Sequence, residues 1–132
     1  MSKKILVILG GSSKEREVSL ETGKSCIKAL KKIGYRVKKF DPKFSSLNDI
    51  KKHKVDVIFN ALHGKKGEDG QIQSFFEYLG IPYTHSGVLS SMIAMNKFLS
   101  KQLFIKHRIR TPNYFFLSER DYSDANLKSK IK

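Results

Sequence analysis

The protein has 132 residues, a mass of 15.1 kDa and a formal net charge of +14 at pH 7. Its length suits one compact domain, and a hydrophobic content of 39% excludes a disordered chain. No apolar run reaches the ~18 residues that a membrane span needs, and the five apolar residues at positions 5–9 are too few for an export signal. We therefore expect neither a membrane partner nor export.

Lysine pairs carry much of the positive charge, and they are dispersed along the chain. Proteins that bind nucleic acid usually concentrate charge on one face and favour arginine for bidentate contacts. The dispersed pattern is more typical of a solvated surface, so no nucleic-acid partner is expected. The alternative is a stand-alone basic α/β module that binds nucleic acid or another polyanion.

Apolar runs alternate with amphipathic segments along most of the chain, which indicates alternating strands and helices. Strands are predicted at residues 3–9, 35–40, 55–60 and 81–84. Helices are predicted at residues 16–33, 47–52, 71–79, 86–96 and 97–107. Gly34 and Gly80 stand where helix C-caps are expected. This alternation predicts an α/β fold, an open parallel sheet with helices on both faces.

The character of the chain changes at Thr111-Pro112. A further strand is predicted at residues 113–117, followed by a polar turn at 118–124 and the start of a helix at 125–132. We therefore place a domain boundary there, with a first domain at residues 1–111 and the start of a second at 112–132.

Two nucleotide-binding patterns are incomplete. Gly23-Lys24-Ser25 matches the end of a P-loop, but Val18 stands where the pattern requires its first glycine. Gly10-Gly11 follows a strand, but the later glycines of a dinucleotide fingerprint are missing. Neither pattern predicts a nucleotide site.

The junction between the first strand and the first helix is a stronger candidate. Glycines turn the chain there at the carboxyl end of a strand, where open α/β sheets bind ligands. Glu15 follows, near the helix start, and could hold a ligand ammonium. The alternative is that Glu15 only caps the helix.

A second glycine-rich loop follows the third predicted strand and carries His63. A histidine there can donate to a developing negative charge or simply form a local hydrogen bond. Glu68 and Asp69 precede a predicted helix and are expected to cap it. Lys97 could neutralise phosphate oxygens or remain a solvated charge.

Four segments occur in an order that resembles the N-terminal domain of D-alanine–D-alanine ligases, ATP-grasp enzymes of peptidoglycan precursor synthesis. They are LGGSSKEREVSL at residues 9–20, ALHG followed by GEDGQIQ within 61–73, GIPYTHSGV at 80–88, and MNK at 95–97. The resemblance spans about residues 4–117. It implies a Rossmann-like (pre-ATP-grasp) fold for the first domain and the start of a truncated central ATP-grasp domain after it.

The resemblance implies roles for individual residues. Glu15 matches the acid that binds the amino group of the first D-alanine, and His63 matches the histidine against that D-alanine and its acyl-phosphate. Val18 and Ser19 would shape the substrate pocket, and Lys97 would reach towards the ATP phosphates. The parent enzyme would be cytoplasmic, would use ATP and Mg²⁺, and would form a homodimer through this domain.

The family's magnesium ligands fall in later subdomains, so no metal ligand is expected in this chain, and the chain alone is expected to be inactive. Asn96 replaces the aspartate common before the lysine, and His85 replaces a residue that is usually small. A ligase paralogue with a different acceptor stays open, because acceptor choice depends largely on other regions.

Overall fold

The computed structural model describes residues 2–117, which fall into two compact units, residues 2–96 and 97–117. The elements of the first unit, in chain order, are β1 (Lys4–Ile8), α1 (Arg16–Lys32), β2 (Arg36–Phe40), a 3-10 helix (Leu47–His53), β3 (Val57–Asn60), α2 (Gln71–Leu79) and α3 (Val88–Met95). The second unit contains α4 (Lys97–Lys106). The predicted strands and helices up to residue 80 are therefore confirmed to within a few residues at their ends.

The strands form a parallel sheet in the order β2-β1-β3. The chain moves from β1 to β2 on one side and then crosses back to β3 on the other. A crevice is expected at such a reversal, at the carboxyl ends of β1 and β3. The predicted strand at 81–84 is reduced to one bridge between Ile58 and Tyr83, because the chain turns away at His85, whose φ is 76°.

Both faces of the sheet are covered, as predicted. Leu6 and Ile8 of β1 pack with Ile72 and Phe76 of α2 on one face. On the opposite face, neighbouring β1 residues pack with α1 through Leu20, Ile27 and Leu30. This arrangement confirms an α/β fold with helices on both faces of a parallel sheet.

Gly23 explains the P-loop-like tripeptide in structural terms. It is buried within α1, and a Cβ there would lie 2.5 Å from the Cβ of Leu9. The glycine therefore allows α1 to pack closely on the sheet, and the tripeptide lies inside the helix rather than in a phosphate-binding loop.

The strand predicted at residues 113–117 is wrong, since these residues form no strand within the described part of the chain. A strand needs a hydrogen-bonding neighbour, and the described second unit offers only α4. Two of the aromatic rings contact α4 instead: the ring centroids of Tyr114 and Phe116 lie 6.5 and 4.9 Å from that of Phe98. The turn and helix predicted for 118–132 lie outside the described residues, and the boundary at 111/112 stays a prediction. None of the described helices combines the length and apolar character needed to cross a membrane.

Candidate active site

Two predicted site residues lie at the carboxyl edge of the sheet, where the strand order reverses. Glu15 is the N-cap residue of α1, which follows β1, and His63 lies in the loop after β3. Glu15, His63 and Glu68 each place a carboxylate oxygen or ring nitrogen within 4.8 Å of the other two. The fold therefore brings together two acids and a histidine from separate loops.

Gly64 lets the His63 loop approach Glu15 closely. A Cβ at Gly64 would lie 2.5 Å from Oε1 of Glu15, and Gly64 has a φ of +70°, a conformation that favours glycine. The contact depends on glycine at this position for two separate reasons, steric room and backbone conformation.

The side chain of Glu15 makes no capping hydrogen bond in α1. Its backbone N–H donates instead to Oγ of Ser13, at 3.1 Å. The capping explanation for Glu15 therefore loses its support, and the exposed carboxylate is available to a ligand. The carboxylate stands at the N-terminus of α1.

His63 is fixed in orientation by contacts on both ring nitrogens. Nε2 lies 3.1 Å from Oγ1 of Thr22, and Nδ1 lies 3.8 Å from Oε1 of Glu68. The hydroxyl of Ser13 also donates to the His63 carbonyl, at 2.7 Å. Thr22, His63 and Glu68 line a cavity of about 250 Å³, which is large enough for a small amino acid.

The predicted caps of α2 are correct for Asp69 and wrong for Glu68. Asp69 accepts from the backbone N–H of Gln71, the first residue of α2, at 3.2 Å. Glu68 turns back instead, and its Oε2 accepts from the Gly64 N–H at 2.6 Å. The loop's own geometry thus directs Glu68 towards His63.

Ser19 and Val18 occupy different environments. Ser19 is completely buried; its Oγ accepts from the Gly10 N–H at 2.8 Å and donates to the Ala61 carbonyl at 2.6 Å. It therefore joins the segments that follow β1 and β3 rather than presenting a free hydroxyl. Val18 is 54% exposed on α1.

Arg16 and Asp41 support the site but were not singled out by sequence reasoning. Asp41 follows β2, and its Oδ2 lies 2.8 Å from Nη2 of Arg16. Burial opposes ionisation of Asp41, but hydrogen bonds from Arg16, Lys43 and Gly11 outweigh it and hold the pKa of this carboxyl below its usual value. The sequence signal that could have revealed this pair was the predicted parallel pairing of β1 and β2, since it places the end of β2 beside the turn after β1.

Lys97 is exposed and is the first residue of α4, in the second unit. A lysine at the positive end of a ten-residue helix suits an anion such as phosphate. Its role at the ATP phosphates nevertheless stays a prediction.

The acid–histidine cluster does not fit Mg²⁺ well. Magnesium prefers six oxygen ligands in an octahedron, whereas this cluster supplies one imidazole and two carboxylates. One of those carboxylates, Glu68, already accepts from the Gly64 N–H and faces His63. The ligand set of this cluster is therefore unlike that of a typical magnesium site.

Comparison with known proteins finds similarity to D-alanine–D-alanine ligases. Residues 36–86 match the family model for the D-ala D-ala ligase N-terminus. The D-alanine–D-alanine ligase of Pelagibacter ubique is 55% identical over 114 residues, which cover 86% of this chain and 38% of that protein. The ligase of Carboxydothermus hydrogenoformans is 49% identical over 115 residues, covering 87% of this chain and 37% of that protein.

Solved structures agree in fold. The D-alanine–D-alanine ligase of Bacillus anthracis superposes with a TM-score of 0.81 and 38% identity, over 98% of this chain and 42% of that one. The same enzyme complexed with ATP gives a TM-score of 0.82 and 37% identity, over 98% and 45%. The chain thus spans well under half the length of these relatives. Its sequence and fold are similar to those of the N-terminal part of these ligases.

Proposed function

We propose that this chain forms the subsite for the first D-alanine in a D-alanine–D-alanine ligase. The observation that carries the proposal is the Glu15 carboxylate, which makes no capping hydrogen bond and lies close to His63. Both residues lie at the edge of the sheet where the strand order reverses. The similarity to ligases over most of the chain supports the assignment of D-alanine as the ligand.

Glu15 binds the ammonium of the first D-alanine. Its carboxylate makes no bond within the helix cap, so an ammonium can pair with it without displacing an internal partner. Gly64 lies directly against the Glu15 carboxylate, where a larger residue would not fit. Val18, exposed on the same helix, is the apolar side chain that would meet the substrate methyl group, and Ser19 positions the two loops.

His63 faces the carboxyl end of the same substrate. Nδ1 of His63 lies 3.8 Å from the Glu68 carboxylate, and Thr22 contacts the ring at Nε2. Because both ring nitrogens have these neighbours, His63 can donate to negative charge on the substrate only when a substrate oxygen replaces Thr22 or Glu68 at one of them. The chain thus supplies positioning and charge stabilisation at the acyl carbon.

The proposed reaction has two steps. A carboxylate oxygen of the first D-alanine attacks the γ-phosphorus of ATP, and ADP leaves with the cleaved bond's electrons. The amine of the second D-alanine then attacks the acyl carbon, loses a proton and expels phosphate, which leaves the dipeptide. A carboxylate is a poor electrophile until its oxygen becomes part of a phosphate leaving group, so alignment and charge compensation are the protein's main contributions.

ATP enters this proposal as a substrate, supported by the ATP complex of the Bacillus anthracis enzyme. Lys97 is the residue of this chain that would contact its phosphates. Magnesium would neutralise phosphate charge when bound, but the described residues assign it no ligands. The homodimer, the cytoplasmic location and the choice of acceptor also stay predictions.

A chimaera tests the proposal. This chain would replace its matching segment in the Pelagibacter ubique ligase, and the product would be assayed with ATP and D-alanine. We expect coupled ADP release and D-alanyl-D-alanine detectable by mass spectrometry. A folded chimaera without dipeptide would refute the ligase assignment. Binding of the chain alone to duplex DNA, falling steeply between two salt concentrations, would favour the polyanion alternative.

A further inference from the structure

A cleft on the α2 face of the sheet is separate from the Glu15 subsite. It has a volume of about 520 Å³ and lies between the turn after β1, Pro42 after β2, and α2. Leu62 and His63 line both this cleft and the 250 Å³ cavity, Thr22 and Glu68 line only the cavity, and Glu15 lines neither. A volume of this size falls in the range of small-molecule sites, so the cleft can accept more than ordered water.

The floor and one wall of the cleft are apolar. Leu47, Leu62 and Ile72 line it together with the rings of Phe75 and Tyr78. The two ring centroids are 6.3 Å apart with an interplanar angle of 38°, and Tyr78 is 76% exposed. Exposed aromatic surface beside a cavity favours a flat apolar ligand.

The rim of the cleft is cationic. Lys65 and Lys66 line it, and both are exposed. Nζ of a third lysine, Lys51, lies 5.2 Å from the Tyr78 ring centroid. Within the described residues, no aspartate or glutamate lines the cleft and no carboxylate pairs with Lys65 or Lys66.

The loop that carries these lysines is held in place. The Lys66 N–H donates to Oδ2 of Asp69 at 2.8 Å, and the Gly67 carbonyl accepts from the side-chain amides of Asn60 and Gln73, each at 2.9 Å. The lysines therefore extend from an anchored backbone, which reduces the ordering cost of binding an anion.

We propose that this cleft binds a small aromatic anion, with the ring against Phe75 and Tyr78 and the anionic group at Lys65 and Lys66. The apolar wall selects the ring, and the absence of lining carboxylates in the described cleft makes its charge complementary to a phosphate or carboxylate. This cleft would bind an anion, whereas the carboxylate of the proposed D-alanine subsite would bind an ammonium group.

Titration of the 132-residue chain with 1-naphthyl phosphate tests the proposal, by calorimetry and by the fluorescence of the naphthyl group. We expect saturable binding with one site per chain and weaker binding of neutral 1-naphthol. The Lys65→Ala/Lys66→Ala double variant should weaken phosphate binding at least about tenfold, since charge-assisted contacts are lost. Tyr78→Ala should weaken both probes.

The Lys31→Ala/Lys32→Ala variant is the matched control, since it removes the same charge from the end of α1. It should bind the probe as the unchanged chain does. Equal losses in the two lysine variants would show general attraction to a basic surface and overturn the proposal. The proposal would also be overturned if the chain failed to bind 1-naphthyl phosphate. The same holds if sedimentation showed that the chain self-associates and the associated chain did not bind the probe.

Discussion

Asp41 and Arg16 bind the two polar backbone groups of Gly11. The Gly11 N–H donates to Oδ1 of Asp41 at 3.0 Å, and Nη1 of Arg16 donates to the Gly11 carbonyl at 2.8 Å. The two side chains also pair with each other at 2.8 Å. The residue next to Glu15 thereby ties the turn after β1 to the end of β2, which fixes the backbone from which Glu15 extends.

We predict that Asp41→Asn lowers the free energy of unfolding by about 2 kcal/mol near neutral pH, since hydrogen bonds to a charged group are lost. The pKa of Asp41 is lower in the folded chain than its usual value, so its ionised form adds stability above that usual pKa. This contribution is lost as pH falls through the folded pKa. Urea unfolding at neutral and strongly acidic pH should therefore show a difference that disappears in acid.

Asp49→Asn is the control for this prediction. Asp49 pairs with Lys52 on the surface of the 3-10 helix, and its pKa is also lowered, chiefly by the hydrogen bond with Lys52. Exposed pairs contribute little to stability, so a much smaller loss is expected. Equal losses in the two variants would contradict a special role for the Arg16–Asp41 pair.

Ser19→Ala should destabilise the fold by about 1–3 kcal/mol, because it leaves the Gly10 N–H and the Ala61 carbonyl without their partner in a buried place. Ser25→Ala, at an exposed position on the same helix, should change stability little. Thermal and urea unfolding of both variants measure the difference. A Ser19 variant as stable as the Ser25 variant would show that this hydroxyl does not join the two loops.

Gly64→Ala should raise the KM for the first D-alanine in the Pelagibacter chimaera, because the new Cβ would displace the Glu15 carboxylate. Gly80→Ala is matched to it in backbone strain, with a φ of +65° against +70°, but nothing lies within 4 Å of its added Cβ. Both variants should lose similar stability, and only Gly64→Ala should lose substrate affinity. A shared KM increase would attribute the effect to backbone strain alone.

Much of the first unit could be predicted from local patterns. The residues of α2 were predicted without error at either end, since its apolar spacing is strong and Gly80, with a φ of 65°, ends it. The placement of Glu15 and His63 at one edge followed from parallel strands. Resemblance to a family, rather than local chemistry, supplied their proposed roles.

Long-range and loop interactions could not be predicted in the same way. Glu68 is acidic and precedes α2, as a helix-capping residue would, but the loop turns its side chain towards Gly64 and His63. Asp41 interacts with Arg16 and Gly11 across strands, and no local spacing reveals that. The aromatic run at 113–117 has strand propensity, yet propensity without a neighbouring strand gave no strand in the described residues.

The most direct test of the proposed D-alanine subsite is the KM for the first D-alanine in the Glu15→Gln form of the Pelagibacter chimaera. Glu15→Gln keeps the size of the side chain but removes the charge that pairs with the substrate ammonium. We predict a KM increase of about 10- to 100-fold with unchanged folding, as expected for a lost charge-assisted contact. Glu17→Gln, in the first turn of the same helix, should leave KM unchanged. An unaltered KM in the Glu15 variant would contradict the proposed D-alanine subsite and would leave Glu15 with no role beyond its position at the N-terminus of α1.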